Sequence, residues 1–362
     1  MTERRIDQVI PTLASRDAIG GHVLQLRDLL RSRGFASDIY YGNASADRVD
    51  EGYHVARLGD RSPAGRVLLY QLSIGSGVGD IFRERHERKF VNYHNITPAG
   101  LLEAWIPAVG EEVRWGRAQL RELAAVTEFA VADSRYNERE LHDAGYRSTT
   151  TVPLLIDLDG FAGAPDPALT RRLEAEREGG GTDLLFVGKV SPHKGQHDLV
   201  KALVVYRRLY DPLARLRLVG GAISEGYQEA LVRFADELGV ADAVEIAGSV
   251  THEELIAYYA SSDVFVCLSD HEGFCVPLLE AMYHRIPIVS HETTAVPETV
   301  GAAGLVLPGK EPGRVAAAVD RVVRDASLRD SLAREAASRV ATFGLAPARE
   351  AFASALEAAY AA

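Results

Sequence analysis

Ser269-Asp270-His271-Glu272-Gly273-Phe274-Cys275-Val276-Pro277-Leu278-Leu279-Glu280-Ala281-Met282 is the stretch that decides how this chain is read. An apolar run, Val264 to Leu268, precedes it, and Ile286-Pro287-Ile288-Val289-Ser290 follows it. Both runs have the length and composition of buried strands. Pro277 suits a first helical position, where its missing N–H costs nothing. The spacing therefore predicts strand, acidic loop, helix, strand. In such a unit the loop leaves the carboxyl edge of a parallel sheet, where ligands bind. Glu272 falls in that loop, and Glu280 is expected in the first turn of the helix, close to it. Two carboxylates there can hold sugar and ribose hydroxyls. The free N–H groups around Gly273, Phe274, Cys275 and Val276 can face a phosphate. An acidic residue in a first turn also serves simply as a dipole partner, so the spacing of the two glutamates alone leaves both roles open.

A second stretch has the same form. Leu184 to Gly188 reads as a buried strand, Lys189-Val190-Ser191-Pro192-His193-Lys194-Gly195 as a loop, and a helix is expected from about Gln196. Two lysines in a strand-to-helix loop make an anion site plausible, because the helix N-terminus adds its own positive end. The alternative is a solvated loop with ordinary lysines. Near the N-terminus, Asp17-Ala18-Ile19-Gly20-Gly21-His22 is expected to open a helix over Val23 to Arg33. Gly20 and Gly21 would let a ligand approach the backbone there. Gly75-Ser76-Gly77-Val78-Gly79 lacks dinucleotide-fingerprint spacing and is read as a loop lining an acceptor.

Composition bounds the class. The 362 residues suffice for about two domains of ~100–200 residues. Hydrophobic residues make up 47% and charged residues 25%, as in an ordinary globular protein. A net charge of −11 argues against non-specific nucleic-acid binding, which needs clustered Lys and Arg. Cys267 and Cys275 are the only cysteines, so no disulfide framework is implied and a reducing cytoplasm is expected. Met1 to Ile6 lacks an apolar signal core, and no apolar run approaches ~18 residues. Peripheral contact with the inner face of a membrane is compatible with all of this.

Short apolar runs alternate with longer amphipathic ones, which predicts an α/β protein with parallel sheets. Strands are expected near 9–13, 37–41, 67–71, 90–94, 129–132 and 149–155. In the second half they are expected near 184–188, 216–220, 244–247, 264–268, 286–290 and 304–307. The domains are expected over 1–165 and 166–345, with a closing helix over 346–362. Trp105 and Trp115 are assigned to the core or to an acceptor cleft. The charged stretch Arg83 to Lys89 is read as a solvated helix face. His252-Glu253-Glu254-Leu255 has no second His in metal spacing and reads as a helix start. His94, at a strand end, is by itself a structural hydrogen-bonder.

Together the Glu272-x7-Glu280 string and Gly188-Lys189-x4-Lys194-Gly195 resemble the retaining glycosyltransferases of family 4. That resemblance implies the GT-B architecture, two Rossmann-like domains with parallel sheets facing a central cleft, the closing helix crossing back to the first domain. Lys189 stands where the family has Arg, and Cys275 where it more often has Gly. The resemblance implies that Lys194 and Lys189 grip a donor diphosphate and that Glu272 orients the sugar. It implies that Glu280 holds the ribose, that His94 touches the sugar, and that Gly20 and Gly21 face the diphosphate from the other domain. Gly188, Ser249 and Val250 would border the nucleotide through backbone groups, and Glu298 would cap a helix. The substrates would be a UDP- or GDP-linked sugar and a hydroxyl acceptor, with no cofactor and no metal. Asp157-Leu158-Asp159 also resembles the metal motif of the GT-A architecture. A sugar-nucleotide epimerase, a phosphorylase and a non-catalytic sugar-nucleotide-binding protein are the rival functions.

Overall fold

The computed structural model describes residues 3–15, 17–59 and 65–362; Met1 and Thr2 of the N-terminal stretch read above lie outside them. The chain divides into two units. The first holds the chain up to Glu103, Pro107–Asp157 and Phe343–Ala362; the second holds Ala104–Ile106 and Leu158–Thr342.

The first unit carries β1 (Arg5–Leu13), β2 (Ile39–Ala44), β3 (Tyr53–His54), β4 (Arg66–Leu72), β5 (Arg88–Tyr93), β6 (Phe129–Ala132) and β7 (Thr149–Thr151). They form one parallel sheet in the order β3-β2-β1-β4-β5-β6-β7. Every residue of β4 is buried, as expected of a parallel strand covered on both faces. Side chains alternate along a strand. Val67 and Leu69 therefore join Ile6, Phe90 and Val131 on one face, under Leu26, Leu29 and Leu30 of the helix Ala18–Ser32. Tyr70 faces the other way and stacks on Phe82, ring centroids 5.0 Å apart. The closing helix, Leu345–Ala361, completes the first core with Ala348, Phe352, Ala353 and Leu356. Burying an aromatic of the size of Phe352 contributes about 1.5–3 kcal/mol.

Two sequence expectations change in this unit. The strand expected over 149–155 stops at Thr151, because Pro153 has no N–H to offer a ladder. The stretch Arg83 to Lys89 is not a solvated helix face. The helix Gly77–Glu84 ends there, and Glu87 and Lys89 are buried. Glu87 accepts from Arg85 at 2.6 Å, while Arg66 donates to the buried Asp7 at 2.7 Å. Burial pushes the Asp7 carboxyl up, against the pull of Arg66 and Arg5. The glycine at 75 is explained by packing: a Cβ there would lie 2.4 Å from the backbone nitrogen of Gly116.

The second unit carries β8 (Asp183–Val187), β9 (Arg215–Val219), β10 (Val244–Gly248), β11 (Val264–Cys267), β12 (Ile288–His291) and β13 (Gly304–Leu307). They form a second parallel sheet in the order β10-β9-β8-β11-β12-β13. The chain division falls after Asp157, and Phe161 is already part of the second unit. Its ring packs against His252, Tyr259, Tyr283 and His284. The helix His252–Ala260 starts on a capping box, with Thr251 and Glu254 satisfying each other's backbone N–H. Both tryptophans lie outside the core: Trp105 is 44% and Trp115 42% exposed. Among the described residues no helix is long and apolar enough to cross a membrane.

Candidate functional site

In the second sheet the strand order reverses at β8, with β9 and β10 on one side and β11 to β13 on the other. The crevice outside the carboxyl ends of β8 and β11 is therefore the topological switch point, the default ligand site of an open parallel sheet. The loop leaving β8 is Gly188 to Gly195, and the loop leaving β11 is Leu268 to Cys275. These are the two stretches that the sequence singles out.

Backbone contact locks the loops together. Gly195 has φ +68°, and a Cβ on it would lie 2.3 Å from the carbonyl oxygen of Leu268. Asp270 N–H donates to His193 O at 2.8 Å. Across this junction Lys194 Nζ donates to both carboxylate oxygens of Glu272, at 2.7 and 2.8 Å. The Lys194 side chain is 20% exposed and that of Glu272 7%. Burial alone would lower the Lys194 pKa; the Glu272 carboxylate outweighs it and the pKa is raised. Next to the pair, burial with the charge of Lys194 drives His193 down to about 2, so its ring is neutral. Lys310 clamps the same loops from behind, 2.6 Å from Asp270 and 2.7 Å from Asp198 on the helix Gln196–Leu209.

Cys275 has φ 68° and precedes the helix Val276–Tyr283. That helix starts at Val276, so Pro277 is its second residue and Glu280 lies beyond the first turn, which holds no acidic residue. The expected dipole contact is thus a turn too far, since the effect fades within the first turn. Glu280 Oε2 instead accepts from Tyr259 OH at 2.7 Å. The ring of Tyr259 is stacked on that of His284, 5.0 Å away. Burial pushes the Glu280 carboxyl up to about 7, against the hydrogen bond from Tyr259 and the nearby His252. The two glutamates thus have different protein partners.

The remaining second-unit residues line the same sheet edge. Gly188 follows β8 and donates to Val219 O at 2.9 Å. Lys189 is exposed and forms no ion pair among the described residues. Ser249 and Val250 follow β10, the edge strand. Phe274 O accepts from Thr299 Oγ1 at 2.7 Å, which fixes the loop before Cys275. Glu298 lies in the first turn of the short helix Val296–Val300, and its carbonyl accepts from Arg339.

Gly20, Gly21 and His94 belong to the first unit. The helix begins at Ala18, so the two glycines lie in its first turn and not in a loop before it. Gly20 is required by packing, since a Cβ would meet Ala14 O at 2.3 Å; a Cβ at Gly21 meets nothing within 4 Å. His94 is enclosed: its side chain is 1% exposed. Its ring nitrogens face Asp133 Oδ2 at 2.8 Å and Gln71 Oε1 at 2.7 Å. Gln71 donates to Gln8, and Gln8 to the carbonyl of Val23, which orients the whole chain of amides. Both ring nitrogens of His94 thus have protein partners. Sequence reasoning missed Gln8, Gln71 and Asp133. The available signal was a glutamine inside each of two apolar strand runs.

Comparison with known proteins defines the fold class first. A crystal structure of Anabaena Alr3699/HepE in complex with UDP-glucose superposes with a TM-score of 0.76 over 98% of this chain and 99% of that one, at 16% identity. The two parallel α/β units are those of GT-B glycosyltransferase structures. More particularly, residues 172–339 match the family of glycosyl transferases group 1. A D-inositol 3-phosphate glycosyltransferase of Frankia alni is 34% identical over 224 residues, 59% of this chain and 54% of that protein. A GDP-mannose-dependent alpha-(1-6)-phosphatidylinositol monomannoside mannosyltransferase of Mycobacterium tuberculosis is 34% identical over 244 residues, 63% of this chain and 62% of that protein. The matched part of this chain thus spans a little over half the length of these relatives.

Glu280 provides a direct test of nucleotide binding. Removing one hydrogen bond to a charged group costs about 1.5–3 kcal/mol, so Glu280→Ala is expected to weaken nucleoside diphosphate binding roughly 10- to 100-fold. In the ribose role that the family resemblance implies for Glu280, the ionised carboxylate is the stronger acceptor. Affinity is therefore expected to rise as pH passes upward through about 7, and Glu280→Gln is expected to lack that component. Calorimetry over this range measures both. An unchanged dissociation constant in Glu280→Ala would leave Glu280 as a partner of Tyr259 only.

Proposed function

We propose that this chain is a retaining, metal-independent glycosyltransferase of family 4, moving a sugar from a UDP- or GDP-linked donor to a hydroxyl acceptor. The observation that carries this reading is the Lys194–Glu272 pair at the switch point of the second sheet, on loops that fit the family's two motifs. The group 1 match over residues 172–339 supports it, as do relatives named for glycosyl transfer. The acceptor class follows the notion of cell-surface polysaccharide, glycolipid or small-metabolite glycosylation. Work at the cytoplasmic face of a membrane is part of the same proposal.

As the glycosidic bond breaks, negative charge grows on the leaving diphosphate. Preorganised positive groups help most where charge develops. Lys194 supplies that charge, turning from Glu272 toward the phosphate, and Lys189 adds a second, exposed ammonium. The N-terminus of the helix Val276–Tyr283 adds its dipole, through Gly273 to Val276. Glu272, freed on one oxygen, orients the hydroxyls of a sugar that becomes oxocarbenium-like. Glu280 holds the ribose. Gly188, Ser249 and Val250 border the base through backbone groups. The acceptor attacks from the face that the diphosphate leaves, and a phosphate oxygen takes its proton. No protein nucleophile is required.

The deciding experiment incubates the protein with UDP- and GDP-sugars and a panel of acceptors. Acceptor-dependent release of nucleoside diphosphate is expected, undiminished by excess EDTA. Proton NMR of the product is expected to show the donor's anomeric configuration kept. A β-linked product from an α-linked donor would overturn the retaining mechanism. Loss of activity on chelation, restored by manganese, would favour a metal role for Asp157 and Asp159. Interconversion of the donor without any acceptor would instead identify an epimerase.

A further inference from the structure

The proposed transfer uses neither thiol, yet the chain's only two cysteines meet beside its central ion pair. Cys267 closes β11 and Cys275 caps the following helix; both are buried. Their Sγ atoms and a carboxylate oxygen of Glu272 all lie within 4.8 Å of one another. Tetrahedral zinc, with bonds of ~2.3 Å to sulfur and ~2.0–2.2 Å to oxygen, sets ligand atoms roughly 3.5–3.8 Å apart. Shortening these separations by at most roughly 1.0–1.3 Å closes the triangle on a cation. Cys275 also holds a left-handed backbone, φ 68°, that favours glycine and costs other residues ~1–2 kcal/mol. A side chain kept at that cost, facing the only other thiol, calls for a reason beyond packing.

We propose that Cys267, Cys275 and Glu272 form a binding site for a soft divalent cation, Zn²⁺ being the type. Two thiolates select such a cation over Mg²⁺ or Ca²⁺. Binding exchanges two thiol protons for two metal–sulfur bonds, with no change of oxidation state. The charges close: two thiolates and one carboxylate balance the dication together with the ammonium of Lys194. Water or a buffer ligand fills the fourth position. Occupation takes Glu272 away from Lys194 and stops sugar transfer. This inhibitory consequence rests on the transferase reading; the metal site itself does not.

The test uses the full reduced chain and Cd²⁺ as a spectroscopic probe. One Cd²⁺ per chain is expected, with an ultraviolet thiolate-to-cadmium charge-transfer band, displaced by Zn²⁺ and unaffected by excess Mg²⁺. Cys267→Ser is expected to lose the two-thiolate band and to bind at least roughly 100-fold more weakly, more than loss of an outer partner costs. Glu272→Gln is expected to keep the band with reduced affinity. Transferase activity is expected to fall as the band grows, to return on chelation, and to be insensitive to Cd²⁺ in Cys267→Ser. Absence of the band from the reduced wild type, or an unchanged band in Cys267→Ser, overturns the proposal. A band in a chain that transfers no sugar under any condition supports the metal site and counts against the transferase instead.

Discussion

Lys194→Ala is expected to lower kcat by roughly 10²–10³, the cost of losing one donor aimed at transition-state charge. KM for the donor is expected to change far less, because the charge on the leaving group grows only as the bond breaks. The structure adds a second effect. Lys194 is the partner of both Glu272 oxygens, and Glu272 is buried. Removing one member of a buried pair leaves a carboxylate unpaired, which is strongly destabilising, so Tm is expected to fall as well. The double variant Lys194→Ala/Glu272→Gln separates the two effects. It is expected to recover most of the lost stability and none of the lost kcat. Steady-state kinetics and thermal denaturation on the three proteins make the test. Turnover at the wild-type rate in folded Lys194→Ala would remove the pair from the chemistry.

Gly195→Ala is expected to be nearly as damaging, without touching a charge. Its backbone sits at φ +68°, which costs alanine about 1–2 kcal/mol. The new Cβ would also lie 2.3 Å from Leu268 O and 3.0 Å from its carbonyl carbon, contacts that no rotamer can relieve. The loop after β8 must therefore move off the loop after β11, and Lys194 moves with it. A displacement of ~1 Å in a positioned group costs on the order of 10²-fold in rate. We expect that loss in kcat, together with a Tm lower by roughly 2–8 °C at 2–4 °C per kcal/mol. Gly21→Ala is the control: its Cβ meets nothing within 4 Å, so the stability of the first unit is expected to hold. Equal kinetics for wild type and Gly195→Ala would mean that the loop junction does not position the site.

The central stretch was legible because its signals are local. Val264 to Cys267, Val276–Tyr283 and Ile288–His291 form as strand, helix and strand, and each is encoded by apolar period and proline placement within a few residues. The same holds for β8 and the helix from Gln196. Helix starts were less legible. Glu280 and Gly20–Gly21 each fell one position class away from expectation, because Val276 and Ala18 extend their helices by a turn fragment that propensity does not mark. The fate of charged residues was the least legible. Arg83 to Lys89 reads as solvated by composition, yet Glu87 and Lys89 are buried, Glu87 beside the sequence-distant Arg66 and Lys89 with its ammonium turned to the carbonyls of Arg85 and Glu87. The partners of His94 were not legible either: Gln71 and Asp133, which face its ring nitrogens, lie 23 and 39 positions away.

By itself, then, the sequence determined the alternation of strands and helices, the two parallel units, and the two loops that carry the site. These follow from apolar periodicity and turn chemistry, which act over distances of a few residues. Tertiary structure alone decided the partners. It joined Lys194 to Glu272, 78 positions apart, through the close approach of Gly195 to Leu268. It gave Glu280 to Tyr259, enclosed His94, and brought Cys267 and Cys275 to one carboxylate. Those pairings arise where strands distant in sequence become neighbours in a sheet. Their energies depend on burial and on distances of a few ångströms, neither of which a linear pattern contains.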